Sequence, residues 1–466
     1  MKRLRTLLLI FSFLCMLSYA QQGNYKFNNF GNRSILLSGN VTGSVTDLGL
    51  VYYNPSRLTE IENTGFAFNI RAYQLSSLKL SNLLGEESQL SSTNFDGIPS
   101  MAGGTFDLFN NRFAYSFISK TRIDNALGYD SDVLSDDIFE IFPDTESYKV
   151  NVLLKTNVKD DWFGLTWAKK INENFSLGVS LFGSIYKYSG GSNLNHTIRS
   201  ASNRVTFYEN SIGFNQESYG LLIKIGGNYH FPKFDIGFNI NVPYIEVYDK
   251  GRFLYTKVIA GVGADFDQFY DYDFKNLYSQ RKEPLAISVG SGIPIGRSKL
   301  HLNLDYVSGL MEFDRINIPG IDTGEENTTS VLFEESRKSV LNFGAGLEVF
   351  VYENFNVYGS FTTDYNSFIK NANIFDLSSD GNRDVSIGED FIQYSVGIDL
   401  KLRWASIIIG TNYINGSNVF TSPLSIVKSG IVNDNYANTK LEYNRWQFVV
   451  GIEIPLLENT HYNMNN

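Results

Sequence analysis

Apolar and polar residues alternate with a period of two along most of this chain. In residues 175–186, Phe175, Leu177 and Val179 lie on one face, and serines and glycines dominate the other. Successive side chains of a β-strand point to opposite faces, so this alternation predicts a strand with one apolar and one polar side. Residues 64–75 and 113–122 show the same pattern.

Fourteen segments of this kind occur between residues 64 and 455. Each is about long enough for a tilted strand to cross the hydrocarbon of a membrane, which takes roughly 9–11 residues. The predicted strands are residues 64–75, 97–107, 113–122, 160–170, 175–188, 217–229, 234–247, 283–295, 299–309, 338–351, 355–365, 390–403, 405–415 and 444–455.

The connections between these segments alternate between short and long. The short turns are residues 109–112, 171–174, 231–233, 296–298, 352–354 and 403–404. The long polar connections are residues 76–96, 123–159, 189–216, 248–282, 310–337, 366–389 and 416–443. A soluble β-sandwich does not sort its loop lengths in this way. The pattern predicts an all-β fold, a 14-stranded antiparallel transmembrane β-barrel, which leaves no unpaired strand edge in lipid.

The start of the chain has the pattern of a secretory signal peptide. Three basic residues in the first five precede an apolar run at 7–17 and a small residue at Ala20. The run is too short for a transmembrane anchor, so we predict a signal peptide at 1–20. The barrel is expected at 64–455, with a polar C-terminal tail at 456–466.

Residues 21–63 contain no strand of barrel length. They combine several glycines with apolar residues such as Leu36, Leu48 and Val51. Apolar surface is costly to leave in water, so we predict that this segment packs in the lumen of the barrel as a plug, or hatch.

Two long connections show helical spacing of apolar residues. In 123–147, Val133, Leu134 and Ile138 recur among acidic residues, which predicts a short helix. In 248–282 we predict another helix after Asp265. Its apolar residues are candidates for gathering a hydrophobic ligand, and packing among the loops is an equally good alternative. These candidates are Phe266, Tyr270, Phe274, Leu277 and Tyr278.

Three basic residues fall on strand faces that we assign to the lumen: Arg71, Lys120 and Lys224. They are candidate cations for a ligand carboxylate. The alternative, that they simply line a wet pore, is the more common role of such residues.

Composition narrows the chemistry further. Aromatic residues make up 15% of the chain, its formal net charge is −10, and its only cysteine, Cys15, lies in the predicted signal peptide. These features exclude disulfides and cysteine metal sites in the mature chain and disfavour nucleic-acid binding. The four histidines, His196, His230, His301 and His461, show no metal-ligand spacing. We expect no cofactor, no metal and no enzymatic activity.

The segment from Thr46 to Leu58 resembles the FadL/OmpP1/TodX family of outer-membrane transporters for hydrophobic compounds. That family has a stretch of small residues and Asp, then an aromatic-Asn-Pro-Ala motif before its first strand. Here Tyr53, Asn54 and Pro55 match the motif, and Ser56 replaces the usual Ala. Residues 237–251, 284–306 and 343–354 are similar to later family hairpins, in the same order.

The resemblance implies passive transport of long-chain fatty acids or similar hydrophobic molecules. The protein is then expected as a monomer in a Gram-negative outer membrane, with membrane lipid and a hydrophobic ligand as its partners. Tyr53, Asn54 and Pro55 are expected to have an architectural role in the plug, and the ligand leaves sideways through the barrel wall. The alternative function is that of a shuttle or scaffold in a protein secretion system, because some such proteins share this barrel.

Overall fold

In the computed structural model, fourteen antiparallel strands form a closed barrel because the first strand pairs with the last. The structure describes residues 23–61, 64–82, 89–133, 144–263, 265–324, 328–383, 388–421 and 438–455. The predicted all-β fold with a 14-stranded antiparallel barrel is confirmed. The predicted signal peptide and C-terminal tail lie outside the described residues.

The eighteen described strands include four that are not part of the closed wall. These four are β8, β9, β12 and β13. The strands are β1 (Thr64–Ser81), β2 (Gln89–Leu108), β3 (Asn111–Asp130), β4 (Thr145–Lys170), β5 (Phe175–Ser200), β6 (Val205–Phe231), β7 (Phe234–Asn241), β8 (Ile245–Ala260), β9 (Gln268–Leu277), β10 (Ala286–Ile295), β11 (Ser298–Val307), β12 (Leu310–Asp314), β13 (Glu334–Arg337), β14 (Val340–Tyr352), β15 (Phe355–Asp364), β16 (Phe391–Lys401), β17 (Ser406–Thr421) and β18 (Asn438–Pro455).

Several strands extend far beyond the predicted membrane-crossing segments. β4 and β5 each contain 26 residues, and at about 3.3 Å per residue such a strand is about 86 Å long. The predicted long loops at 123–159 and 189–216 are therefore mostly strand. The helix predicted within 123–147 is wrong for residues 123–130, which belong to β3, and residues 134–143 lie outside the described part of the chain.

The helix predicted in 248–282 is also wrong, because β8 and β9 form a hairpin there. A spacing of four residues fits one face of a helix, but it is also a multiple of two and so fits one face of a strand. Tyr270 and Phe274 use that second geometry and pack on an apolar cluster at the outer end of the barrel. β7 is shorter than predicted and ends at Asn241, and β8 then pairs with the outer half of β6.

A belt of large apolar side chains covers the outside of the barrel. On β18, Phe448 and Val450 are exposed. Arg445 and Gln447, which precede them on the opposite face of the strand, face inward and are buried. Other exposed members of the belt are Phe66, Tyr115, Leu181, Leu302, Phe343, Val396 and Ile409. A closed barrel with such a belt is suited to hydrocarbon surroundings. In the part of the chain that the structure describes, no helix is long and apolar enough to cross a membrane.

Residues 23–61, which we call the N-terminal segment, contain little regular structure. They form helix α1 (Arg33–Leu36), helix α2 (Leu50–Tyr53) and a 3₁₀ helix (Pro55–Glu60). Most of their side chains are buried, including the apolar residues Leu36, Leu48 and Val51.

Candidate functional site

The N-terminal segment lies inside the barrel and contacts all fourteen strands of the wall. Because the strands form a ring, a segment that reaches every one of them occupies the lumen. One contacting residue from each strand, in chain order, is Asn69, Ser100, Lys120, Trp162, Ser180, Asn228, Gly237, Gly290, Asp305, Gly344, Ser360, Asp399, Gly410 and Arg445.

The Tyr53-Asn54-Pro55 motif connects the N-terminal segment to the wall. The Asn54 Oδ1 accepts hydrogen bonds from the backbone N–H and the hydroxyl of Ser56, at 3.2 and 2.7 Å, and so caps the 3₁₀ helix. The Asn54 side-chain amide donates to the carbonyls of Thr42 and Gly227, at 2.6 and 3.1 Å. One side chain therefore forms hydrogen bonds with the 3₁₀ helix, with the loop at Thr42 and with β6.

The residues around this motif leave little room between segment and wall. The Tyr53 hydroxyl donates to Asn29 and accepts from the Phe30 N–H. A Cβ added to Gly178 of β5 or Gly226 of β6 would lie within 2.7 Å of Pro55. Glycine at these two positions thus allows the motif to lie directly on the wall.

An inner cavity remains between the N-terminal segment and strands β3, β4, β6, β7, β10, β11 and β14. Its volume is about 90 Å³, which is room for several water molecules. Its lining mixes aromatic, aliphatic and basic side chains. The lining includes Tyr25, Tyr52, Trp162, Leu222, Val307, Lys120 and Lys224.

Lys120 and Lys224 bring two buried amino groups to this cavity. The Lys224 Nζ lies 2.9 Å from the Asn241 Oδ1 and 3.8 Å from the centroid of the Tyr52 ring. The Lys120 Nζ lies 5.5 Å from the same ring and 3.4 Å from the carbonyl of Tyr25. Burial also raises the pKa of the Tyr52 phenol, so that side chain is neutral.

The acidic groups of the cavity have other partners. Asp305 pairs with Lys26 at 2.6 Å, and Glu283 pairs with Arg281 at 2.9 Å. Among the described residues, neither Lys120 nor Lys224 has a carboxylate within 4.0 Å. A buried lysine without a counter-ion is costly to keep charged, and an anionic group in the cavity would supply the missing counter-ion.

The other predicted site residues do not meet at this cavity. Arg71 belongs to β1, where its backbone pairs with β2 and β18, and its side chain lies outside the described part of the structure. None of the five predicted ligand-gathering residues lines the inner cavity. Tyr270, Phe274 and Leu277 pack against the outer apolar cluster, and the remaining two, Phe266 and Tyr278, are exposed.

The wall has a gap between β2 and β3, which we call the side gap. Backbone pairing joins Met101 to Ile118 and, further out, Ser91 to Gly128. Between these two pairs, no described pairing links residues 92–100 to residues 119–127. The side-chain amide of Asn94 is a described bridge across the gap, donating to the Asp124 carbonyl and to Asn125.

A second space, the side cavity, lies at this gap. It has a volume of about 220 Å³. Its lining includes Gln74 of β1, Asn94 of β2, Arg122 of β3, Tyr443 of β18 and Phe27 of the N-terminal segment. The side cavity therefore joins the gap in the wall to the N-terminal segment.

Phe27 and Asn28 lie at the boundary of the two cavities, because Phe27 lines the side cavity and Asn28 lines the inner one. Arg445 of β18 holds both. Its guanidinium donates to the Phe27 carbonyl and to the Asn28 Oδ1, the second at 3.1 Å, and lies 3.9 Å from the centroid of the Phe27 ring. The Asn28 amide donates to the Lys120 carbonyl at 3.0 Å.

Sequence reasoning did not identify Arg445, Phe27 or Tyr52. The inward position of Arg445 could have been found, since it alternates with Trp446 and Phe448 on the outer face. Its contacts with a segment more than 400 positions away in the chain leave no local signal.

The comparisons with known proteins rest on structure. No family model and no curated protein sequence matches the chain. The P. putida toluene transporter TodX superposes with a TM-score of 0.59 at 10% identity, covering 92% of this chain and 98% of TodX. A Pseudomonas aeruginosa FadL homologue gives 0.57 at 9% identity, with coverage of 94% and 100%. The chain has the TodX and FadL fold.

Other proteins with the TodX and FadL fold are also similar. The Ralstonia pickettii toluene transporter TbuX superposes with a TM-score of 0.52 at 11% identity, covering 92% of this chain and 98% of TbuX. The resemblance deduced from the Asn-Pro motif is thereby confirmed for the fold.

Proposed function

We propose that this protein carries hydrophobic molecules with an acidic head group, long-chain fatty acids first among them, across a Gram-negative outer membrane. We place it in the FadL/OmpP1/TodX family, whose fold it has. The observation that carries the proposal is a barrel with a filled lumen and a gap in its wall. In this proposal the N-terminal segment acts as the plug.

The filled lumen argues against an open pore. A ligand that enters from outside meets the N-terminal segment, which contacts every strand of the wall. A sideways exit through the side gap lets an apolar ligand pass into hydrocarbon without exposing its surface to water, at roughly 25 cal/mol for each Å² kept buried.

The inner cavity supports the choice of ligand. Lys120 and Lys224 provide two basic groups without described carboxylate partners, and Tyr52 and Trp162 provide apolar surface beside them. A carboxylate between the two ammonium groups forms charge-assisted hydrogen bonds. The structural neighbours named as toluene transporters carry an uncharged ligand, so the lysines are the feature that favours an acid here.

The contact of Arg445 with Phe27 and Asn28 supplies a gate. While it holds, these two residues separate the inner cavity from the side cavity. A local shift of Phe27 and Asn28 joins the cavities and opens a path to the gap between β2 and β3. The proposed transport runs down a concentration gradient and needs no nucleotide as an energy source.

The test measures uptake of a labelled fatty acid and of the matching fatty alcohol in a deletion strain. Wild-type protein should restore uptake of both. Replacing Lys120 and Lys224 by Met should raise the KM for the acid by about 100-fold, because hydrogen bonds to charged groups contribute roughly 1.5–3 kcal/mol each and 1.4 kcal/mol is tenfold. It should leave uptake of the alcohol nearly unchanged.

The matched control replaces Lys149, which lies at the outer end of β4 and pairs with Asp130, by Met, and should behave as wild type. If neither acid nor alcohol is taken up faster with the protein than without it, the proposed transport is contradicted. Equal loss of acid and alcohol uptake in the double variant would contradict the role of the lysines only.

One observation favours the second candidate function, a scaffold in protein secretion. β9 pairs with β8 along one edge, and no described residue pairs with its other edge. An unpaired edge can accept a strand from another protein. Co-purification of secreted proteins with the wild type, and their loss on replacing Tyr272 in β9 by Pro, would support this function over transport.

A further inference from the structure

Four basic side chains lie in one row across neighbouring strands on the outer surface of the barrel, and three of them are direct neighbours. Backbone pairing places Arg122 of β3 opposite Lys159 of β4, and Lys159 opposite Lys187 of β5. The same row continues through Glu217 of β6 to Lys250 of β8. We call Arg122, Lys159, Lys187 and Lys250 the basic row.

The basic row carries more positive charge than its contacts neutralise. Directly opposite side chains on paired strands are about 4.5–5.5 Å apart at Cβ, and like charges there are destabilising. Asp161 contacts both Arg122, at 2.7 Å, and Lys159, at 3.6 Å. Glu217 contacts Lys187 at 3.2 Å. Among the described residues, two carboxylates therefore contact three of the four cations, and an added anion would relieve the repulsion.

The position of the basic row relative to the apolar belt is equally informative. The next row towards the belt contains Tyr219 and Tyr248, whose ring centroids are 5.4 Å apart. Paired tyrosines of this kind mark the boundary between hydrocarbon and polar surroundings. The row beyond the basic row is polar and contains Asp124 opposite Asn157. The cations thus lie at the depth where lipids carry their phosphate groups.

The far side of the barrel has a different charge pattern at the same depth. Tyr413 and Trp446 form the boundary there, with ring centroids 4.6 Å apart. The next outward row is neutral, and in the one after it Lys79 lies opposite Glu442. Cations face carboxylates on that side, whereas Arg122, Lys159 and Lys187 face each other in the basic row.

We infer that the basic row binds the phosphate group of an anionic membrane lipid whose acyl chains lie against the apolar belt. Guanidinium and ammonium groups form charge-assisted hydrogen bonds with phosphate oxygens. Arg122 and Lys159 also line the side cavity, so the bound lipid lies beside the side gap. This inference does not depend on the identity of any transported ligand.

The test titrates phosphatidic acid into the full-length protein in neutral detergent and measures bound lipid by native mass spectrometry. Replacing all four residues of the basic row by Gln should weaken binding about tenfold or more, since it removes the charge-assisted hydrogen bonds to the phosphate group. Replacing Lys79 and Lys440 by Gln, on the far side, is the matched control and should leave the affinity unchanged.

Two further measurements keep the inference falsifiable. Phosphatidylcholine and inorganic phosphate should bind far more weakly than phosphatidic acid, and inorganic phosphate binding as tightly as the lipid would overturn the assignment to a lipid. In lipid-free detergent, Lys159→Gln should melt at the same temperature as wild type or higher, because it removes a repulsion. Equal affinity of wild type and the four-Gln variant for phosphatidic acid, or early melting of Lys159→Gln, contradicts the inference.

Discussion

Arg445 offers the sharpest test of the gate. Its side chain is 1% exposed, and it donates to Phe27 and Asn28 while it packs on the Phe27 ring. Arg445→Met keeps an apolar stem of similar length and removes every donor. We expect the barrel to form and the hold on Phe27 and Asn28 to weaken.

The magnitude follows from the contacts that are lost. Two hydrogen bonds from a charged donor contribute about 3 kcal/mol together, and the cation–π contact about 1 kcal/mol more. The desolvation of a buried guanidinium offsets part of this, which leaves about 2 kcal/mol. A loss of about 2 kcal/mol shifts the ratio of open to closed gate by roughly 30-fold, since 1.4 kcal/mol is tenfold.

The assay uses Ser288→Cys, which places a thiol in the lining of the inner cavity. A maleimide that partitions into the membrane reaches this thiol through the side gap when the gate opens. Arg445→Met should raise its labelling rate by roughly 30-fold, in line with the population shift. Arg252→Met, which removes an exposed arginine paired with Asp273, is the control and should leave the rate unchanged. Equal labelling rates for Arg445→Met and wild type would refute the reasoning.

Three further predictions concern how the N-terminal segment is held. Asn54→Ala removes the cap and two donated bonds, so the unfolding free energy should fall by about 1–3 kcal/mol in a denaturant titration, with Asn354→Ala at an exposed position of a tight turn as control. Gly237→Ala places a Cβ 2.0 Å from the Thr42 carbonyl. It should expose the segment to protease while the barrel keeps its heat-dependent gel shift; unchanged protection contradicts this contact. Partial burial raises the pKa of Glu60, but the neighbouring Lys170 and His230 lower it by a larger amount. The pKa of Glu60 therefore lies below its ordinary value. Glu60 thus stabilises the fold above the ordinary Glu pKa, so the difference in Tm between wild type and Glu60→Gln should shrink from neutral pH to about pH 3.

The barrel wall could be predicted from the sequence. Its fourteen strands and tight turns follow from alternation and turn residues, which act within a few positions of the chain. The inward positions of Lys120 and Lys224 follow from the same alternation, because strand geometry alone decides which face a residue occupies.

The long outer strands and the β8–β9 hairpin could not be predicted in the same way. Away from the membrane a polar outer face gives no contrast with a loop, and the spacing of Tyr270 and Phe274 fits a helix and a strand equally. Packing against the outer apolar cluster decides between them.

The gate and the side gap depend on tertiary structure alone. Residues 92–100 and 119–127 have strand conformation like their paired neighbours, so local pattern does not show that they are unpaired. Arg445 meets Phe27 and Asn28 only when the first and last parts of the chain come together inside the ring. The sequence by itself determined a barrel with a short segment ahead of it. The closure of the ring decided where that segment lies, because contacts with fourteen strands exist only after all fourteen have assembled.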